Sequence, residues 1–164
     1  MTSTKQQLEF KLSIPSKTEY LGLVSNLINQ AVKHSGGNSQ SCFDVALAVD
    51  EMITNIIQHA YGGKPDGKID ISFKGSRNAI EISTLHGGKQ IAPEKIVLPD
   101  LRKHLDAKKT RGLGLAIIMK LMDQVLYSTR GDNRAECRMV KHLRGSKSRS
   151  KKTGVRNKVA GGKT

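Results

Sequence analysis

The chain has 164 residues, a formal net charge of +14, two cysteines and no tryptophan. That length suits one domain with a core of its own, here built from Ile, Leu, Val and Ala because aromatics are sparse. Cys42 and Cys137 lie far apart and match no metal or redox spacing, and no apolar run approaches the ~18–20 residues of a membrane span, which argues against a zinc module, a disulfide scaffold and a helical membrane protein.

The charge is uneven. From Arg144 onward there are eight basic residues and no acidic one, so only +6 of the +14 belongs to residues 1–143. The N-terminal MTSTKQQLEF lacks the apolar core of a signal peptide. A cytoplasmic protein with free thiols is expected, organised as a domain over 1–143 and a basic, disordered tail over 144–164.

In chain order, Leu8, Phe10, Leu12 and Ile14 alternate with Glu9, Lys11 and Ser13, the pattern of a half-buried strand. Ser16 with Glu19 three residues on has the signature of a capping box. Tyr20, Leu21, Val24, Leu27, Ile28 and Ala31 then recur at helical spacing to about Lys33. Ser35-Gly36-Gly37-Asn38 breaks this helix. A second helix starts near Ser39 to Ser41, turns Phe43, Ala46, Leu47, Ile53 and Ile57 inward, and ends at Tyr61-Gly62-Gly63. Lys64-Pro65-Asp66-Gly67 is turn chemistry. Strands over Lys68–Lys74 and Ala79–Leu85 read as a hairpin.

From His86 to Arg111 periodicity fails, with short helical turns expected near Pro93–Val97 and Asp100–Leu105. A connection this long inside a compact domain is usually functional. Gly112-Leu113-Gly114-Leu115 opens a third helix through about Asp123. Val125–Thr129 and Glu136–Leu143 close the domain as a second hairpin. The order β-α-α-β-β-loop-α-β-β gives an α/β two-layer sandwich, with one mixed, mostly antiparallel sheet and three helices on a single face.

Chemistry concentrates in three places. Within Asp50–Tyr61, DEMITNIIQHAY, residues Glu51, Asn55 and His59 fall at i, i+4 and i+8, which stacks a carboxylate, an amide and an imidazole on one helix face. Taken alone, such a stripe more often marks a solvated face than a site. His86-Gly87-Gly88 stands at a strand end. Arg111-Gly112-Leu113-Gly114-Leu115 stands at a helix start, where glycines let backbone N–H groups approach an anion and the helix dipole favours negative charge.

These residues, in this order, resemble the GHKL (Bergerat-fold) superfamily of ATPases and kinases, and within it the small bacterial anti-sigma factor serine kinases of the RsbW/SpoIIAB type. The stretch Asp50–Tyr61 is similar to the family's N-box, E-x-x-x-N-x-x-x-H-[AG]-Y. Arg111–Leu115 with Leu121-Met122-Asp123 is similar to its second glycine box and following helix, and Ile91-Ala92-Pro93 sits where members often carry Phe-Asp-Pro. The likeness spans roughly Phe10 to Leu143.

It implies a histidine kinase-like ATP-binding domain that uses ATP and Mg²⁺. Asn55 would ligate Mg²⁺, and Glu51 would be the general base for an attacking serine hydroxyl or water. Gly112, Leu113 and Gly114 would offer N–H groups to the phosphates, and Leu115, like Gly88 and His86, would belong to the nucleotide-binding set. Lys108, Lys109, Thr110 and Arg111 would complete the nucleotide contacts, the basic ones stabilising γ-phosphate charge. His59 would help to order the site, and residues 87–111 would form the ATP lid. The implied partners are a sigma factor and an anti-anti-sigma antagonist of the STAS type, with a homodimer also implied.

One position departs from the family. Its first glycine box is Asp-x-Gly, whose carboxylate accepts a hydrogen bond from the adenine amino group, and here His86 precedes Gly87 and Gly88. Losing a charge-assisted bond to a buried base costs about 1.5–3 kcal/mol, roughly 10- to 100-fold in affinity. Besides the kinase, two readings follow: a non-catalytic GHKL-fold switch whose ATP binding is weakened or lost, and a protein that binds nucleic acid nonspecifically through its tail. The second is the less favoured, since no base-stacking residues accompany the tail's charges.

Overall fold

The alternation of apolar and polar residues in four of the five strands fixes the architecture, because it gives the sheet one face to bury and one to hydrate. The structure, a computed structural model, describes residues 7–90 and 113–143. Its elements are β1 (Leu8–Pro15), a 3₁₀ turn (Thr18–Tyr20), α1 (Leu21–His34), α2 (Ser39–Asn55), a π-helical turn (Ile56–Ala60), β2 (Lys68–Gly75), β3 (Ala79–His86), α3 (Leu113–Leu121), β4 (Gln124–Thr129) and β5 (Ala135–His142). The strands form one sheet in the order β1-β2-β3-β5-β4. Every pairing is antiparallel, so the sheet allowed for as mixed uses no parallel pair among the described strands.

Ile69, Ile71 and Phe73 of β2, Ile80 and Ile82 of β3, and Cys137 and Met139 of β5 are buried on the helical face. They meet Val24, Ile28 and Val32 of α1, Val45, Val49, Met52 and Ile53 of α2, and Ile118 of α3 in a single core cluster. Each fully buried aliphatic side chain contributes about 1.5–3 kcal/mol. Phe10 lies opposite Phe73 in the β1–β2 register and stacks on it, centroids 5.0 Å apart. Asn38 caps α2 by accepting from Ser41 N at 2.8 Å, as short polar side chains do at helix starts.

Three expectations are corrected. Phe43, placed inward from its spacing, is 59% exposed, and Leu27 is 43% exposed. The helical stripes that carry them are narrower than the apolar residues suggest, because α2 packs between α1 and α3 along Val45, Ala48, Val49 and Met52. Ser16 does not cap a helix: the residue at the cap of the Thr18–Tyr20 turn is Lys17, and no side chain caps it. Ser16 instead donates to Lys64 O at 2.5 Å and accepts from Gly67 N at 2.9 Å, tying the end of β1 to the turn before β2. The expected helical turns at Pro93–Val97 and Asp100–Leu105, and the tail, lie outside the described residues.

Ser16 is 1% exposed. Ser16→Ala leaves a donor and an acceptor of the 64–67 turn without their partner, and is expected to lower the unfolding free energy by about 1–3 kcal/mol in urea titration, with an unchanged m-value.

Candidate functional site

The end of α2 is where the site assembles. Up to Asn55 the backbone follows the α-helical ladder. Beyond it five residues, Ile56–Ala60, form a π-helical turn in which Tyr61 N reaches back to Ile56 O at 3.1 Å. Single π turns inside α-helices are frequent at functional sites. Gly62 and Gly63 then take left-handed backbone angles (φ 59° and 78°) and stop the helix.

This change of pitch separates the expected stripe. Glu51 and Asn55 stay together on α2, both half-buried, while His59 falls in the π turn and is exposed. The residues after His59 are held by hydrogen bonds of their own. Lys89 N donates to Ala60 O at 2.8 Å. Tyr61 Oη donates to Lys68 O at 2.7 Å and accepts from Gly87 N at 3.0 Å, so one phenol pins the start of β2 and the end of β3. Gly88 (φ 77°) allows this approach: a methyl group there would lie 2.6 Å from Ala60 O.

α3 brings the second glycine box to the same place. A methyl group on Gly114 would lie 2.6 Å from Glu51 Oε2 and 3.3 Å from both Oδ1 and Nδ2 of Asn55. The start of α3 therefore abuts the carboxylate and the amide directly. Leu113 and Leu115 flank this contact, both half-buried. Lys108, Lys109, Thr110, Arg111 and Gly112 lie outside the described residues. Glu51's carboxyl is held above the usual range, chiefly by burial and then by the charge of neighbouring Asp50, whose own carboxyl burial also raises. A carboxylate with raised proton affinity is the better general base.

His86 ends β3 and is 6% exposed. Its Nδ1 lies 2.5 Å from Gly87 O. A carbonyl only accepts, so Nδ1 carries the proton and Nε2 keeps a lone pair. Burial pushes the imidazole below its usual value, partly opposed by the Gly87 bond, so the ring is neutral at pH 7. His86 lines a cleft of about 20 Å³ with Met52, Ile56, Tyr127, Glu136 and Cys137, room for about one water. Two residues earlier on the same strand face, the Thr84 hydroxyl is buried without a hydrogen-bond partner among the described residues. Burial pushes the Cys137 thiol up to about 12, which makes it a wall of the cleft and not a nucleophile.

The donor set suits a nucleotide with a hard cation. Asn55 Oδ1 is an oxygen ligand of the type Mg²⁺ takes, and the ion characteristically completes its shell with substrate phosphates and water, which leaves the Glu51 carboxylate free to accept a proton. Gly114, lacking a side chain, lets the start of α3 lie directly against Glu51 and Asn55. At the other end, Nε2 of a neutral His86 is an uncharged acceptor, the type of group an exocyclic amine pairs with, but the cleft it lines holds about one water and no purine as it stands.

A model of the histidine kinase-like ATPase domain matches residues 14–141. The chain belongs to that family. The serine-protein kinase RsbW of Oceanobacillus iheyensis is 31% identical over 119 residues, 70% of this chain and 75% of that protein. The RsbW of Listeria monocytogenes is 29% identical over 125 residues, 73% and 80% of the two chains. The crystal structure of the RsbU and RsbW domains of a Mycobacterium tuberculosis protein superposes with a TM-score of 0.59 at 13% identity, over 83% of this chain and 32% of that one, which shows the same fold. Among the described residues, no helix of this family member is long and apolar enough to cross a membrane.

Tyr61 is the site residue whose role sequence reasoning missed. It stands in the N-box stretch, and a tyrosine directly before paired glycines was the available signal. His86 also yields a pH prediction. Its protonation is disfavoured in the folded state, so stability is full above the unfolded value of about 6.5 and falls as pH drops below it. Chemical denaturation from pH 7.5 to 5 is expected to show this loss, and His86→Gln to flatten it.

Proposed function

We propose that this histidine kinase-like ATPase-domain protein is an ATP- and Mg²⁺-dependent serine-protein kinase that acts as an anti-sigma factor. In this reading it binds a sigma factor and phosphorylates a serine of a small STAS-type antagonist. The observation that carries the reading is the contact of Gly114 with Glu51 and Asn55, which joins the two motifs at one point. The likeness to RsbW serine-protein kinases supports the choice of serine as the acceptor.

When bound, Mg-ATP supplies the phosphoryl group. Glu51 would take the proton of the attacking serine hydroxyl as its oxygen bonds to the γ-phosphorus and ADP leaves, Asn55 Oδ1 would hold the cation, and the first amides of α3 would serve the phosphates. Preorganised donors of this kind replace water around the transferred group, and this is where most of the rate enhancement of phosphoryl transfer arises. Neutral His86 receives the amino group of the base through Nε2. A loop over 87–111 with Lys108, Lys109, Thr110 and Arg111 completes the phosphate contacts in this reading.

Calorimetric titration with Mg-ATP tests it. Binding is expected, and its absence at millimolar nucleotide would sink the kinase and leave a non-catalytic protein-binding switch. Glu51→Gln is expected to keep Mg-ATP binding while lowering phosphotransfer by about 10²–10⁴-fold. Replacing the neutral acceptor by a charged one, His86→Asp, is expected to tighten ATP by about 10-fold in the same titration. Unchanged affinity would show that the base does not meet residue 86.

A further inference from the structure

β5 faces the helices through alternate residues, Cys137 and Met139, and the next position in that row is Lys141. A lysine continues an apolar row here because two of the three donors of its ammonium have protein partners. Lys141 Nζ donates to Leu121 O, at the C-terminus of α3, at 2.6 Å, and pairs with Asp44 Oδ2 of α2 at 3.1 Å. Asp44 Oδ1 in turn accepts from Gln40 Nε2 at 2.7 Å. The Lys141 and Asp44 side chains are only 17% and 11% exposed. Directly after α3, Asp123 N donates to Val140 O at 2.9 Å and Asp123 Oδ2 accepts from His142 N at 2.6 Å, so the helix is stitched to β5 at this end as well.

Asp44, Glu51 and Asn55 stand at i, i+7 and i+11 of α2, one face of that helix. α3 has nine residues, about 13 Å at 1.5 Å per residue. Besides packing along α2, it is tied to that helix near both ends: Gly114 lies against Glu51 and Asn55 at its start, and Lys141 bridges Leu121 O to Asp44 at its end. The cation at the C-terminus of α3 also complements its dipole.

We propose that Lys141 is a positioning residue for the phosphate end of the site: by holding the C-terminus of α3 to Asp44, it fixes where Gly114 meets Glu51 and Asn55. The proposal rests on the reading of that contact as the phosphate site. Its effect on catalysis runs through the placement of a helix, where a shift of about 1 Å is enough to cost up to 100-fold.

The test separates positioning from stability. Lys141→Met alone strands the Asp44 carboxylate in a buried setting and is expected to lower the thermal midpoint by about 5 °C or more. The double variant Asp44→Asn/Lys141→Met removes both charges and is expected to return the midpoint to near the wild-type value. Its Mg-ATP dissociation constant is nevertheless expected to rise by roughly 10-fold, and its amide exchange over 113–121 to quicken while that of β2 and β3 stays unchanged. Lys141→Arg keeps the charge and is expected to stay within about threefold of wild type. A double variant with wild-type midpoint, wild-type Mg-ATP affinity and unchanged exchange over 113–121 overturns the proposal while leaving the kinase reading intact. Should the wild-type chain bind no Mg-ATP, the kinase reading fails, and the exchange measurement alone then decides whether Lys141 anchors α3.

Discussion

The close approach of α3 to α2 is the constraint on which the site depends. It exists because Gly114 has no side chain, since one added methyl group would lie 2.6 Å from Glu51 Oε2. A carboxylate and an amide on one face of a helix are ordinary surface chemistry. Set against the amino end of a second helix, they become a place with a carboxylate oxygen, an amide oxygen and peptide N–H groups converging on a small volume. The core elsewhere serves to hold this geometry, with Ile53 and Ile118 fully buried behind it.

The His86 end of the proposed site follows a different principle. Its key group is uncharged, and its hydrogen-bonding sense is set locally, by the carbonyl of the next residue. A carboxylate would present an acceptor at any pH above its own titration. An imidazole does so only while it stays neutral and only in the tautomer that Gly87 imposes. Burial favours the first condition and the short bond to Gly87 the second, so the substitution that departs from the family's pattern is structurally consistent with acceptance of an amine.

Much of this was legible in the sequence. The period-2 runs of β1, β2 and β3 placed those strands within a residue or two, because alternation is enforced when one sheet face is buried. The pairing of Glu51 with Asn55 was legible for the same reason, through the helical period. Legibility ended where tertiary contacts overrule local pattern. Ser16 has the spacing of a cap, yet a turn 50 residues away supplies its partners. His59 continues the stripe by arithmetic, but the backbone changes pitch after Asn55. Phe43 is apolar and exposed. Asp44 and Lys141, distant in sequence and polar, gave no sign of being buried together, because an ion pair leaves no periodic trace.

The π turn at Ile56–Ala60 divides the pocket mechanically. Glu51 and Asn55 belong to a regular helical ladder, whereas Ala60 and Tyr61 are bonded to the segment that follows β3 and to β2. The joint between these two bodies is one widened helical turn, whose hydrogen bonds follow a different spacing from those before it. A molecule long enough to reach from Asn55 to His86 would span that joint like a strut. It would brace the one turn at which the helix changes its hydrogen-bond spacing.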